Sequence, residues 1–225
     1  MNSTELFYYV AIINAALLVG VITLFVAKLT NAPFWKSTEK HLKKKGLHYA
    51  FWATALSSVG SLWLSEIAGI TPCFLCWMQR AFMYPLAIYL GLKIFKKENF
   101  YPTVLAITST ILLYVGIKVL PSDYLSLYAW YAFTMSAPLA IYFVFKHTAW
   151  YSEKRYALIL AIVGAVIALY HYGVQRIGFL QKTIACTADA SCATMYLGYW
   201  GWYSIPLMAF VGFAVAAFTL WHIKK

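Results

Sequence analysis

Long apolar runs, broken by short clusters of lysine, constrain this chain more than any other feature. Seven runs are each long enough to cross the roughly 30 Å of a bilayer as a helix: about 6–27, 48–70, 77–95, 101–120, 124–145, 156–175 and 203–221. Hydrophobic residues make up 63% of the chain and charged residues 11%, with a mean hydropathy of +0.70, where a soluble domain carries about a quarter charged residues. The expected fold is therefore all-α, a polytopic membrane protein of about seven transmembrane helices. Little of the 225 residues is left over for a soluble domain.

The net charge of +11 does not point to nucleic acid, because the basic residues fall between spans instead of forming one patch. With the N-terminus outside, fourteen of the eighteen lysines and arginines lie in inside segments, and only Arg80, Lys118, Arg176 and Lys182 lie outside. The positive-inside rule then sets the orientation. The first run has Glu5 at its start, no basic residue before it and no small-residue cleavage pattern after it, so a retained anchor is expected, not a signal peptide. All four cysteines fall on or near the outer face, where disulfides persist.

Two of those cysteines lie in Thr71-Pro72-Cys73-Phe74-Leu75-Cys76-Trp77-Met78-Gln79-Arg80. A hydroxyl residue followed by proline is a helix-start signal, with Thr71 as the cap and Pro72 in the first helical position. Cys73 and Cys76 would then share one face of the first turns, with Arg80 one turn beyond Cys76. A helix N-terminus and a guanidinium both favour thiolate over thiol, and the thiolate is the reactive form. The blander readings are half a structural metal site or two small packing residues, with Arg80 a headgroup anchor. A second cysteine pair downstream favours the redox reading.

That second pair, Cys186 and Cys192, brackets Thr-Ala-Asp-Ala-Ser in an outer loop running from about 176 to 202. A bridge there is either a static staple or an exposed disulfide suited to exchange with another protein. A four-cysteine zinc site is disfavoured, since the pairs are over a hundred residues apart and neither has a histidine beside it in sequence. No metal is expected. Residues 177–184 have a loosely amphipathic pattern that fits either a surface tether or plain loop, and Tyr196, Tyr199, Trp200, Trp202 and Tyr203 form an interfacial aromatic belt. His171 and Gln175 sit one turn apart near the outer end of the sixth run. His171 is a candidate ligand of a quinone oxygen or a backbone carbonyl, or else a headgroup-facing histidine. Glu66 and Lys118 read as interfacial.

Residues 72–80 with Met83-Tyr84-Pro85 resemble the first redox segment of the DsbB/BdbC disulfide bond formation proteins. Leu169-Tyr170-His171-Tyr172, the pair Cys186/Cys192, and the stretch from Ser204 to Phe210 resemble that family's third helix, second loop and fourth helix. The resemblance covers about 48–97 and 155–222. It implies a quinone-dependent membrane thiol oxidase that reoxidises an extracytoplasmic DsbA/BdbD-like thioredoxin-fold protein and passes electrons to the quinone pool, ubiquinone or menaquinone. By the same resemblance, Cys76 is the thiolate nearest the quinone and Arg80 polarises a quinone oxygen, with Gln79 and His171 also at the cofactor. Cys73 resolves with the second loop, Cys186 takes the mixed disulfide with the partner and Cys192 resolves it.

The family core has four helices, so the expected organisation places that core around additions. Residues 1–47 form an anchor and basic cytoplasmic loop, 48–98 the first half of the redox bundle, 99–153 an inserted hairpin and 154–225 the second half. Two competing functions remain at this stage. A vitamin K epoxide reductase-like enzyme also pairs a CxxC with a loop pair, but there the loop pair comes first. A membrane metal-binding or scaffold protein would use the cysteines as ligands or staples.

Overall fold

The computed structural model describes residues 3–95, 153–181, 191–195 and 197–223. The expected hairpin 99–153 and Cys186 lie outside the described residues, apart from the hairpin's last position. The described chain is helical: α1 (Ser3–Leu29), α2 (Trp35–Glu66), α3 (Phe74–Ile94), α4 (Glu153–Arg176), a single turn α5 (Gly178–Gln181) and α6 (Ile205–His222). A two-residue antiparallel hairpin, β1 (Gly198–Tyr199) with β2 (Tyr203–Ser204), leads into α6.

Three described helices are apolar and long enough to cross a membrane, over Phe7–Leu29, Lys154–Arg176 and Ile205–His222. The other two long helices, α2 and α3, fall short by composition. The reason is visible in their residues: lysines fill the start of α2, a serine-threonine stripe its second half, and Gln79 and Arg80 the start of α3. The stripe is reconciled with an apolar setting locally. Thr54 Oγ1 donates to Ala50 O at 2.9 Å, Ser57 Oγ to Ala53 O at 2.8 Å and Ser58 Oγ to Thr54 O at 2.8 Å. Large apolar side chains point outward from α1 and α2, among them Ile13, Val19, Leu56 and Val59, each more than 60% exposed. In water that surface would be a liability, whereas in a bilayer it is solvated.

Two local details differ from the sequence reading. The lysine-rich stretch taken as a loop is the first part of α2, helical from Trp35 onward. The third helix starts two residues late. Cys73, extended at ψ 173°, is its N-cap and its carbonyl accepts the first helical bond from Trp77 N at 3.1 Å, so neither Thr71 nor Pro72 belongs to the helix. Cys73's own extended backbone supplies the half-in position that a cap takes.

Helix α6 packs against α4 and α2, and α3 against α2 and α4; α1 rests mainly on α6. Lipid tails are as apolar as leucine, so close fit and not water exclusion holds such helices together. Trp77, Phe82, Leu86 and Leu90 of α3 meet Tyr156 and Leu160 of α4 and Phe213 and Leu220 of α6 in one buried cluster. Gly164 lets the Phe213 ring lie directly on the α4 backbone; a Cβ there would overlap the ring. Gly212 likewise admits Ser57 of α2.

The helix directions sort the chemistry by end. At one end Lys28 lies over the Trp221 ring, Trp35 meets His222, and Lys154 Nζ donates to Trp221 O at 3.0 Å and Ile223 O at 2.5 Å, capping the last carbonyls of α6. At the other end Tyr8 meets Tyr199 and Trp200, and Tyr203 donates to Asn14 Oδ1 at 2.5 Å. The described cysteines are at this second end, opposite the lysine-rich one.

Candidate active site

Because Cys73 caps α3 and Cys76 lies in its first turn, the two sulfurs meet: Cys73 Sγ donates to Cys76 Sγ at 3.1 Å, and both are free thiols. The donor is the residue outside the helix, and the acceptor is the residue within reach of the first-turn amides. That polarity leaves Cys76 as the better thiolate. The hydrogen bond to Cys76, together with burial, pushes the Cys73 thiol well above the usual cysteine range.

Helix α4 brings a third group to the pair. His171 is buried and its Nε2 lies 3.6 Å from Cys73 Sγ and 3.2 Å from Cys192 O. Gln79 Nε2 donates to His171 Nδ1 at 2.9 Å, which puts the ring proton on Nε2, facing the Cys192 carbonyl and the Cys73 sulfur. The headgroup-facing alternative for His171 is thus wrong, and of its two named partners the backbone carbonyl is present. The zinc argument from sequence, that no histidine stands beside either pair, fails in three dimensions for the same reason.

Cys192 is itself buried and disulfide-bonded. It packs in one cluster with Cys73, Leu75 and Val174. Gln175 fixes the flanking loop, its Nε2 donating to Thr194 O at 3.2 Å while its Oε1 accepts from Ser204 Oγ at 2.7 Å. The residues around 177–184 contribute only α5, with Phe179 fully outward.

Arg80 is buried, which removes the headgroup-anchor reading. Its Nε donates to Ser61 Oγ at 2.9 Å and its Nη2 to Ser61 O at 2.7 Å, and the guanidinium lies 5.1 Å from the Trp77 ring centre. Ser61 was not singled out from sequence. The signal was there, since Ser57, Ser58, Ser61 and Ser65 recur at helical spacing, but such a stripe does not say which hydroxyl meets a charge.

Cys73, Cys76, Gln79, Arg80 and His171 all border one cavity of about 440 Å³, walled otherwise mainly by apolar side chains, most of them from α1, α2 and α6. The Tyr84 hydroxyl, one turn beyond Arg80, is on the same wall and is buried with no hydrogen-bond partner among the described residues. A largely apolar cavity of this size with a few convergent polar groups suits an apolar small molecule.

Known proteins similar in sequence agree with this chemistry. A family model described as "Disulfide bond formation protein DsbB" matches residues 43–124. Over that stretch the chain is similar to the DsbB/BdbC disulfide bond formation proteins. A probable disulfide formation protein C 1 of Bacillus cereus is 28% identical over 179 residues, covering 80% of this chain and 91% of the relative. The disulfide bond formation protein C of Bacillus subtilis is 26% identical over 177 residues, 78% and 91%. A probable disulfide formation protein of Deinococcus radiodurans is 28% identical over 189 residues, 79% and 88%. No solved structure matches the chain. These similarities support a membrane thiol oxidoreductase of disulfide bond formation.

Proposed function

We propose that this protein is a thiol:quinone oxidoreductase whose four cysteines carry electrons from an extracytoplasmic thioredoxin-fold dithiol protein to a membrane quinone. The overall reaction balances as partner dithiol plus quinone giving partner disulfide plus quinol. The observation that carries this reading is the convergence of Cys73, Cys76, His171 and Cys192 at one end of the bundle, beside an apolar cavity holding a buried guanidinium.

Each described residue has a role that its position supports, and Cys186 takes its role from the resemblance alone. The partner thiolate attacks Cys186, and Cys192 leaves as the second sulfur. The Cys192 thiolate then attacks Cys73 of the oxidised CxxC pair, and Cys76 is released. The partner's second thiolate displaces Cys186 to give the partner disulfide. Cys186 then displaces Cys73 from Cys192, restoring the loop disulfide and leaving the CxxC pair reduced. His171, between Cys73 and the Cys192 backbone, holds or moves the proton at these sulfurs. The quinone, when bound, supplies the two-electron acceptor. Arg80, held in place by Ser61, stabilises negative charge developing on an acceptor oxygen, and Gln79 fixes the ring orientation of His171. Tyr84 offers a further donor to that oxygen-bearing ligand. Transfer runs forward because a DsbA-like partner sits at roughly −120 mV, within reach of a quinone pool.

The basic end of the bundle faces the cytoplasm and the cysteine end the outside of the cytoplasmic membrane. The organisation into a redox core at 48–98 and 154–225, with 1–47 and 99–153 as additions, belongs to the same proposal.

The relay is tested by trapping the partner. In Cys192→Ser the free Cys186 thiolate attacks the disulfide of the oxidised partner, and no second loop thiol resolves the product. A reductant-sensitive complex with the partner therefore accumulates on a non-reducing gel. Cys186→Ser does not trap comparably. Trapping only in Cys186→Ser reverses the two roles, and no complex in either variant defeats the relay.

A further inference from the structure

The CxxC pair and His171 present three soft donors to one point. Cys73 Sγ and Cys76 Sγ are 3.1 Å apart, His171 Nε2 is 3.6 Å from Cys73 Sγ, and the three ligand atoms lie within 4.8 Å of one another. We infer that the reduced CxxC pair and His171 form a binding site for a soft monovalent metal cation of the Cu(I) class. The inference stands on this geometry and does not depend on the quinone reading.

Three arguments select the ion. Thiolate pairs with an imidazole choose Cu(I) or Zn(II) among common metals. Zinc is four-coordinate, so with three protein donors here and the neighbouring Cys192 sulfur committed to a disulfide it would need a bound water as the fourth ligand in this largely apolar cavity. Cu(I) accepts a three-coordinate S2N set.

Charge points the same way. Two thiolates and Arg80, the only full charge among the described cavity residues, sum to −1. A monovalent cation brings this buried site to zero, whereas a divalent one leaves it at +1, and uncompensated buried charge is costly.

Binding requires one rearrangement, which the site permits. Nε2 carries the ring proton while Gln79 Nε2 donates to Nδ1. A half-turn of the Gln79 carboxamide lets its oxygen accept from Nδ1–H, freeing the Nε2 lone pair for the metal. Metal-bound histidines usually donate their other ring N–H to an oxygen in this way. Two S–metal bonds and one N–metal bond form, the thiol protons leave to solvent, and no electron is transferred. The bound cation occupies both sulfurs that must form the disulfide, so it halts the redox cycle with the CxxC pair reduced.

The test uses the full chain in detergent micelles, with Cys186→Ser and Cys192→Ser removing the loop thiols. The reduced protein is titrated without oxygen against the coloured Cu(I)–bicinchoninate complex. One Cu(I) per chain is expected to be withdrawn by the reduced form and none by the oxidised form. His171→Leu is expected to weaken binding at least about tenfold. X-ray absorption at the copper edge, on protein with His171 intact, is expected to show one nitrogen beside two sulfurs, so the proposal is decided even where the leucine variant does not fold. No withdrawal, equal affinity in His171→Leu, or a sulfur-only shell overturns it.

Discussion

Ser61 is the residue whose removal says most about how Arg80 works. Ser61 accepts two hydrogen bonds from that buried guanidinium, one at its hydroxyl at 2.9 Å and one at its carbonyl at 2.7 Å. Ser61→Ala deletes the first and leaves the second, along with the contact to Trp77. A hydrogen bond to a charged group is worth about 1.5–3 kcal/mol. At about 1.4 kcal/mol per factor of ten, the full loss would slow a step dependent on Arg80 by about ten- to a hundredfold. Because the carbonyl contact survives, the lower end, about tenfold, is expected. The fall should appear in the rate of quinone reduction followed by absorbance, with partner exchange on a non-reducing gel unchanged, and Ser61→Thr should restore it. Wild-type quinone kinetics in Ser61→Ala would show that Arg80 is not positioned by this hydroxyl. Equal slowing of both half-reactions would point to general damage instead.

Two further predictions concern orientation and packing. In a cysteine-free version of the chain, Phe179→Cys at the exposed cysteine end should react with a membrane-impermeant thiol reagent on intact cells, and Lys40→Cys only after lysis; the reverse pattern would invert the topology. Gly164→Ala should lower the unfolding temperature in detergent, because overlap with the Phe213 ring, about 1–3 kcal/mol, outweighs the roughly 1 kcal/mol of helix propensity that alanine gains. An unchanged or higher midpoint would mean that α4 and α6 can separate at no cost.

Much of the site was legible in the sequence because its signals are local. Cys73, Cys76, Gln79 and Arg80 share ten residues, and helical spacing alone puts them near one another. The membrane setting was legible because apolar length and lysine placement are summed over whole segments. What escaped depends on contacts between segments. His171 lies ninety-eight positions from Cys73, and only the packing of α3 against α4 brings the ring to the sulfur. Ser61 meets Arg80 across the α2–α3 interface, and the Tyr84 hydroxyl acquires meaning only from the cavity beside it. The start of α3 was misplaced for a different reason. Thr-Pro is a cap-and-first-turn signal and equally an extended dipeptide, and here Cys73 took the capping position itself.

The coupling of both cysteine pairs to a quinone is the central claim, and stoichiometry tests it most directly. The purified protein is mixed without oxygen with a reduced thioredoxin-fold dithiol partner and a soluble short-tailed quinone, and quinol and partner disulfide are counted together. One quinol per partner disulfide is predicted for the intact chain, with quinol formation lost in Cys76→Ser. Partner oxidation without quinol, or undiminished quinol formation in Cys76→Ser, would contradict the account.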